Sequence, residues 1–433
     1  MESYGTNGRR VAIVGGLRTP FAKAGTVLKS MTAEEMGRAV VAELLERTTL
    51  DPAEIDLLVF GTVVPSVLAP NLAREVALLP ILPKGIPAYT VGRACASANQ
   101  AITDAADQIV LGHADVAIAG GAESLSNVPI LHSRRFSDAL VRASRSRSLG
   151  SRVGAFAGVR PRDLVPVSPA IAEPSTGETM GQSAEKMAKL NHIPREEQDQ
   201  FALRSHRLAA AGTLDGRLAS EMMTLYVPPA YDKWMSSDNG VRTDTSLEQL
   251  AALKPVFDRK YGSVTAGNSS PLTDGAAAVI LMSEAKARAL GFTPLAYVRS
   301  YAYAALDPGE QLLQAPVLAA PKALERAGLS LSDIDLVEMH EAFAAQVLSN
   351  LQGFESQAWA ERAGLSRPLG EVDRSRLNVM GGSIAIGHPF GATGARITMT
   401  LSHELQRRGG RFGLMTVCAA GGMGFAMVVE NAA

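Results

Sequence analysis

Two rhythms of apolar residues alternate along this chain. Residues 11–14 form a short β-branched run ending in Gly15-Gly16, the pattern of a buried strand. From 32 to 47 the spacing turns helical, with Met36, Val40, Leu44 and Leu45 on one face. Thr32 and Glu35 make a capping box at its start. Residues 55–60 read as a second strand, ended by Gly61, and 88–91 as a third. A helix is expected from about 95 to 111, then a strand over 116–119 closed by Gly120-Gly121. Strands alternating with helices predict α/β layers.

The second half repeats the first. Residues 45–60 align with 324–339 without a gap, and seven of sixteen positions are identical, including Arg47/Arg326, Ile55/Ile334 and Asp56/Asp335. An internal duplication explains this better than two unrelated helix–strand connections of similar composition. It predicts that equivalent strand ends of the two halves face one another. Between the halves the material changes. Eight arginines lie between Arg134 and Arg162, followed by Pro166, Pro169 and Pro174 and a helical stretch over 183–208. The expected division is therefore 1–128 completed by 252–291, an inserted α-rich domain over 129–251, and a second half over 292–433. The arginines read first as a solvated face, and otherwise as a site for a phosphate-bearing ligand or a docking surface.

Composition narrows the function classes. The 433 residues are 46% hydrophobic and 20% charged, ordinary for a globular chain of two or three domains. Net charge is −1, so no global field draws the chain to nucleic acid or to a membrane. No apolar stretch approaches the ~18 residues of a spanning helix. Residues 1–5 lack the basic-then-apolar pattern of a secretory signal. Cys95 and Cys418 are too few for a disulfide framework or a four-cysteine metal cluster. A soluble protein of a reducing compartment, the cytoplasm, is expected.

Four segments can carry chemistry. Cys95 follows a strand and precedes a helix rich in alanine, where unpaired N–H groups are expected to lower its thiol pKa and favour the thiolate. A buried structural cysteine is equally compatible with that segment alone. His388 lies in Gly387-His388-Pro389-Phe390-Gly391-Ala392-Thr393-Gly394, a glycine-rich loop in which an imidazole can take a proton from a thiol. The loop is neither a dinucleotide fingerprint nor a P-loop. His340 begins His340-Glu341-Ala342-Phe343 at the end of the repeated strand, where α/β sites form. Ala344 stands where a zincin needs its second histidine, which excludes that class. Cys418 ends another strand before Gly421-Gly422, at a place that the other half is expected to fill with glycine. Nucleophile, base and second thiol at strand ends form a constellation for acyl transfer through a thioester. A serine-hydrolase elbow is absent, since Gly181-Gln182-Ser183-Ala184-Glu185 lacks its last glycine.

At these residues the sequence resembles the thiolase family over nearly its whole length. Arg18-Thr19-Pro20-Phe21, the Cys95 block, Ala119-Gly120-Gly121-Ala122-Glu123-Ser124 and Val264-Thr265-Ala266-Gly267-Asn268-Ser269-Ser270 all match, as do the His340, His388 and Cys418 blocks. The resemblance implies a duplicated, five-layered αβαβα fold with an inserted loop domain. It implies reversible cleavage of 3-ketoacyl-CoA by CoA, with CoA as substrate and neither cofactor nor metal. Cys95 would be the nucleophile, His388 its base and a holder of the thioester oxygen of the departing acetyl unit, and Cys418 the proton shuttle. Backbone N–H groups of Cys95 and Ala420 would form the oxyanion hole. Ser270, Met180, Phe343 and Gly387 would contact the CoA substrate.

Most thiolases carry Asn where His340 stands, and His-Glu-Ala-Phe is similar to the β-subunits of fatty-acid β-oxidation complexes. In that role His340 would donate to the enolate oxygen, directly or through water. The resemblance also implies a homodimer or homotetramer and a hydratase/dehydrogenase α-subunit as partner, with peripheral membrane association a further possibility for the basic stretch. Thr179, where many acetoacetyl-specific thiolases carry His, argues against acetoacetyl-CoA synthesis. An acetoacetyl-CoA-forming acetyltransferase, a ketoacyl synthase and a non-catalytic acyl-CoA carrier are the alternatives.

Overall fold

The computed structural model describes residues 9–166 and 172–433. The first five residues and Pro169 lie outside them. The chain opens with strands β1 (Val11–Arg18) and β2 (Ala22–Lys23), helix α1 (Ala33–Thr48), β3 (Leu57–Gly61), α2 (Leu72–Ala77), β4 (Ala88–Val91), α3 (Ser97–Val110) and β5 (Val116–Glu123). An intervening segment carries α4 (Arg134–Arg145), α5 (Leu149–Gly154), α6 (Met180–Leu190), α7 (Arg195–Leu214), the hairpin β6 (Leu225–Val227) and β7 (Lys233–Met235), and α8 (Leu247–Ala251). Then follow β8 (Thr273–Ser283), α9 (Glu284–Ala289), β9 (Ala296–Ala305), α10 (Pro316–Ala327), β10 (Leu336–Met339), α11 (Ala344–Phe354) and α12 (Gln357–Arg362). The last elements are α13 (Ser383–Ile386), α14 (Thr393–Arg408), β11 (Phe412–Ala419) and β12 (Met423–Asn431).

The repeat read from sequence is a repeat of structure. After α1 come a 3-10 turn at Pro52–Glu54 and β3; after α10 come a 3-10 turn at Leu331–Asp333 and β10, in the same register. The main sheet runs β10-β11-β12-β9-β1-β8-β5-β3-β4, with β2 beside β8. Read outward from its centre, where β1 pairs antiparallel with β9, each half places its strands in the same order. The place of β4 in the second half holds only a bridge between Val337 and Leu377.

Alternation along the strands sorts side chains onto two faces, and three apolar clusters result. One lies between the half-sheets and contains Ala98, Ala101 and Ala105 of α3 with Ala395, Ile397 and Met399 of α14. A second packs α1 on the outside of the first half, and a third packs α10 and α11 on the outside of the second. The layers are therefore α, β, α, β, α, the five expected.

Three local expectations are corrected. β1 runs through Gly15-Gly16, with a register shift between Ile13 and Gly15, and β5 runs through Gly120-Gly121 to Glu123. Gly121 does not close its strand. It admits a neighbour, since a Cβ there would lie 2.0 Å from the Gly391 carbonyl oxygen and 2.5 Å from that of Gly61. The helix expected over 183–208 is two helices, broken between Leu190 and Arg195, where Pro194 disfavours helical geometry in the residue before it and His192 has φ 53°. Finally, Leu57 pairs with Ala117 and Leu336 with Gly413, so the counterpart of Cys418 is Ala122 rather than a glycine.

The segment between the halves packs closely on them. Arg18 of β1 forks onto Asp238 at 2.7 and 2.8 Å, both side chains buried. The Asp238 carboxylate also accepts the Phe21 N–H at 2.8 Å.

Replacing Gly121 with Ala forces the Gly391 backbone away and is expected to cost at least ~2 kcal/mol, read as a lowered urea midpoint. Gly150→Ala, where nothing lies within 4 Å of the new methyl, is expected to change stability by less than ~1 kcal/mol in the stabilising direction.

Candidate active site

Cys95 sits in the turn between β4 and α3. Ala94 before it has φ 44°, a left-handed conformation that a non-glycine residue adopts only under restraint. Ser97 supplies that restraint: its hydroxyl accepts the Arg93 N–H at 2.8 Å and donates to the Ala94 carbonyl at 2.7 Å. The sulfur is approached by the backbone N–H groups of Ala420 and of Cys95 itself. Burial nevertheless dominates and pushes the thiol up to about 12, against the lowering by those N–H groups. The lowered pKa expected from a helix start is therefore corrected, because a thiolate here would lose its water.

His388 is held at both ends. Its backbone N–H donates to Thr273 Oγ1 at 3.0 Å, and its ring Nδ1 lies 2.7 Å from Thr393 Oγ1. The Thr393 hydroxyl donates to the Pro389 carbonyl at 3.0 Å, so it accepts from the histidine. His388 thus carries its proton on Nδ1, and Nε2 is a bare, buried lone pair with no protein partner. Burial, then the Arg396 charge, lowers its pKa to about 3.

His340 follows β10 and lies behind His388, ring centroids 4.1 Å apart. Its backbone N–H donates to the Thr416 carbonyl at 2.9 Å, and its ring Nδ1 is 3.1 Å from Ser383 Oγ. Its pKa is also lowered, by burial first and then by His388 and Arg396. One nitrogen of each ring and Cys95 Sγ lie within 4.8 Å of one another. Cys418 ends β11, 1% exposed, its thiol raised by burial and by Cys95 nearby.

Cys95, His388, Cys418 and Ala420 meet in a cavity of about 480 Å³, and Met180, Ser270 and Phe343 line its walls. His340 and Gly387 are not among the lining residues: His340 stands beside His388, with a ring nitrogen within 4.8 Å of Cys95 Sγ, and Gly387 is the link before His388. Each half reaches into the other. Ala420, from the second half, offers its N–H to Cys95; Glu123, from the first, accepts the Gly391 N–H at 2.9 Å. The same buried carboxylate accepts the N–H groups of Val63 and Val64 and the Thr62 hydroxyl, tying the His388 loop to the end of β3.

The sequence reading missed Phe257, Leu272 and Leu313, which supply apolar wall. No motif marks them, since they come from three distant segments. It also missed Glu173, whose carboxylate accepts the Gly421 N–H at 2.9 Å and anchors the loop after Cys418.

Fold and site together define a duplicated α/β acyltransferase of the cysteine–histidine type. The chain belongs to the thiolase family: residues 11–285 match the thiolase N-terminal domain and 292–431 the thiolase C-terminal domain. It is 52% identical over 424 residues to the 3-ketoacyl-CoA thiolase of Shewanella pealeana and 53% identical over 424 residues to that of Pectobacterium atrosepticum. Both alignments span 98% of this chain and 97% of the relative. Among solved structures it is similar to human mitochondrial 3-ketoacyl-CoA thiolase in complex with CoA, with TM-score 0.82 and 34% identity over 100% of this chain and 99% of that one. It is equally similar to the Bacillus anthracis acetyl-CoA acetyltransferase, with TM-score 0.82 and 35% identity over 98% and 99%.

These shifts fix a pH response. His388 gains its proton only near pH 3, so the base form persists as pH falls through the ordinary imidazole value. The rate at which iodoacetamide alkylates Cys95, followed by mass spectrometry, is expected to climb steadily with the thiolate from about pH 5.5 to about pH 8.5, without a plateau. An inflection near the ordinary value of about 6.5 would contradict a neutral, buried His388.

Proposed function

We propose that the chain cleaves 3-ketoacyl-CoA with CoA, giving acetyl-CoA and a shortened acyl-CoA, in fatty-acid β-oxidation. The observation that carries this reading is the meeting of both thiols, the bare Nε2 of His388 and the Ala420 N–H at one cavity. The similarity to proteins named 3-ketoacyl-CoA thiolase supports the same substrate. Cys95 attacks the keto carbon while its proton passes to His388 Nε2. Burial raises the thiol and lowers the imidazole, so both rest neutral. The proton therefore moves as the S–C bond forms, and the charge passes to the substrate oxygen between the N–H groups of Cys95 and Ala420. The C–C bond then breaks, Cys418 protonates the acetyl-CoA enolate, and its thiolate accepts the proton of the incoming CoA thiol. CoA attack on the acyl-Cys95 thioester releases the product. Nothing in this sequence of steps calls on a metal or on a cofactor beyond CoA as substrate.

Met180, Phe257, Leu272, Leu313 and Phe343 give the cavity apolar walls suited to an acyl chain and the pantetheine arm, with Ser270 as a polar contact. The division into 1–128 with 252–291, 129–251 and 292–433 accords with β8 lying between β1 and β5. Two free thiols suit a reducing compartment such as the cytoplasm, and no helix among the described residues is long and apolar enough to cross a membrane. β4 ends the sheet with one edge unpaired among the described residues, which favours a homodimer, or a homotetramer built from one, through that edge.

The α4–α5 segment is the docking surface we assign to a hydratase/dehydrogenase α-subunit. Leu140, Val141, Leu149 and Val153 are exposed on it. Some of its arginines serve the segment itself: Arg142 donates to the Ala155 carbonyl and Arg152 to that of Ser146. Arg134 stays 92% exposed beside Asp138.

Cys95→Ser is expected to abolish acylation by a 3-ketoacyl-CoA, read by intact mass; an acylated variant removes Cys95 as nucleophile. Cys418→Ala is expected to lower thiolysis by ~10²–10⁴-fold across chain lengths, and full activity would sink its proton role. Reversing Arg134 and Arg142 to Glu is expected to release a co-purifying α-subunit without changing thiolysis, and unchanged co-purification would count against that surface.

A further inference from the structure

We propose that Ser383, itself held by Arg396, is a positioning residue that fixes His340 as an Nε2–H donor to the thioester oxygen of the departing acetyl unit. The proposal rests on the thiolytic reading above and adds to it the group that selects the tautomer. Ser383 is fully buried in the first turn of α13, and Arg396 of α14 is buried beside it, 3.8 Å from Glu338. Among the described residues, Ser383 Oγ has two hydrogen-bond partners: Arg396 Nη2 at 3.2 Å and His340 Nδ1 at 3.1 Å.

Counting hydrogens settles the direction. A guanidinium only donates, so Arg396 occupies a lone pair of the hydroxyl oxygen. The hydroxyl's own hydrogen is then left with one acceptor, His340 Nδ1. A neutral imidazole carries a single ring hydrogen, which must therefore sit on Nε2. The opposite tautomer would leave the Ser383 hydrogen buried without an acceptor, which a dry interior penalises. His340 Nε2 has no protein partner, as a donor kept for a ligand requires.

The same count gives His388 the opposite form, because Thr393 spends its hydrogen on the Pro389 carbonyl. Two rings 4.1 Å apart thus present different nitrogens, one bare and one protonated. Two bare nitrogens would repel a substrate oxygen; two N–H groups would leave Cys95 without a base. Once His388 has taken the Cys95 proton, both Nε2 atoms are donors. Cleavage of the C–C bond then sends its electron pair to a thioester oxygen that two N–H groups can hold, and the proton that quenches the enolate comes from Cys418.

An amide has no tautomers, so the need for Ser383 should vanish when Asn replaces His340. Ser383→Ala is expected to lower kcat for thiolysis by about 10- to 100-fold with KM within about twofold, while in a His340→Asn background the same change costs less than about twofold. An equal loss in both backgrounds, or no loss with His340 present, overturns the proposal. Imidazole ¹⁵N spectra of the unliganded enzyme decide the same point without turnover. The His340 signals, identified by their disappearance in His340→Asn, are expected to show protonated Nε2 and bare Nδ1, with that signature lost in Ser383→Ala. A protonated Nδ1 in the unsubstituted enzyme overturns the proposal even if thiolysis is normal. Absence of thiolysis in the unsubstituted enzyme would instead fail the thiolase reading and leave the spectrum to judge the tautomer.

Discussion

The close packing of α3 against α14 in the middle layer is the constraint from which the rest follows. Both helices are rich in small residues where they enter the shared core, Ala98, Ala101 and Ala105 on one side and Ala395 on the other. Small side chains let two helices and two half-sheets share one layer. The loops that precede the two helices then open at the same end of the molecule. One carries Cys95 and the other His388, which is why residues almost three hundred positions apart share a cavity. Glu123 and Ala420 complete the exchange, each crossing to the opposite loop.

A second consequence is electrical. The middle of the protein is too dry for free ions, and the groups there are neutral or paired. Burial raises Glu338 to about 8, even beside the opposing charge of Arg396, and lowers both His340 and His388. Arg396 therefore does more than pair with Glu338: its charge opposes protonation of both imidazoles, while its Nη2 engages Ser383. A site of neutral thiols and neutral imidazoles has little charge to shed when an acyl-CoA enters. It develops charge only as bonds change, in a place where N–H groups already wait.

What the sequence made legible was local or repeated. The capping box of Thr32 and Glu35 forms as expected, with the Glu35 carboxylate 2.8 Å from the Thr32 nitrogen. The repeat gave the layers, because a helix, a turn and a strand recurring in one register can bury their faces in only a few ways. What stayed hidden depended on contacts between distant segments. Gly121 reads as a strand terminator until the Gly391 carbonyl is seen lying where a side chain would be. Cys95 reads as a helix-start thiol until its enclosure is counted. Phe257 has no signal in its own segment, since only the folded chain brings it beside Phe343, ring centroids 6.1 Å apart.

The duplication also shows how a symmetric scaffold supports chemistry that must be asymmetric. In the shared register His340 is the counterpart of Gly61, and Cys418 of Ala122. A side chain at Gly61 has no room: its Cβ would lie 2.5 Å from the Ser97 backbone, because α3 begins close against the end of β3. In the second half α14 starts at Thr393, the equivalent of Ser97, and the place of Gly61 holds His340, its ring packed against that of His388. What differs is the connection from strand to inner helix, 35 residues between β3 and α3 and 53 between β10 and α14; the shorter carries the nucleophile and the longer both histidines. The asymmetry of the site is therefore built into backbone lengths, and the reactive side chains occupy places the two loops had already made unequal.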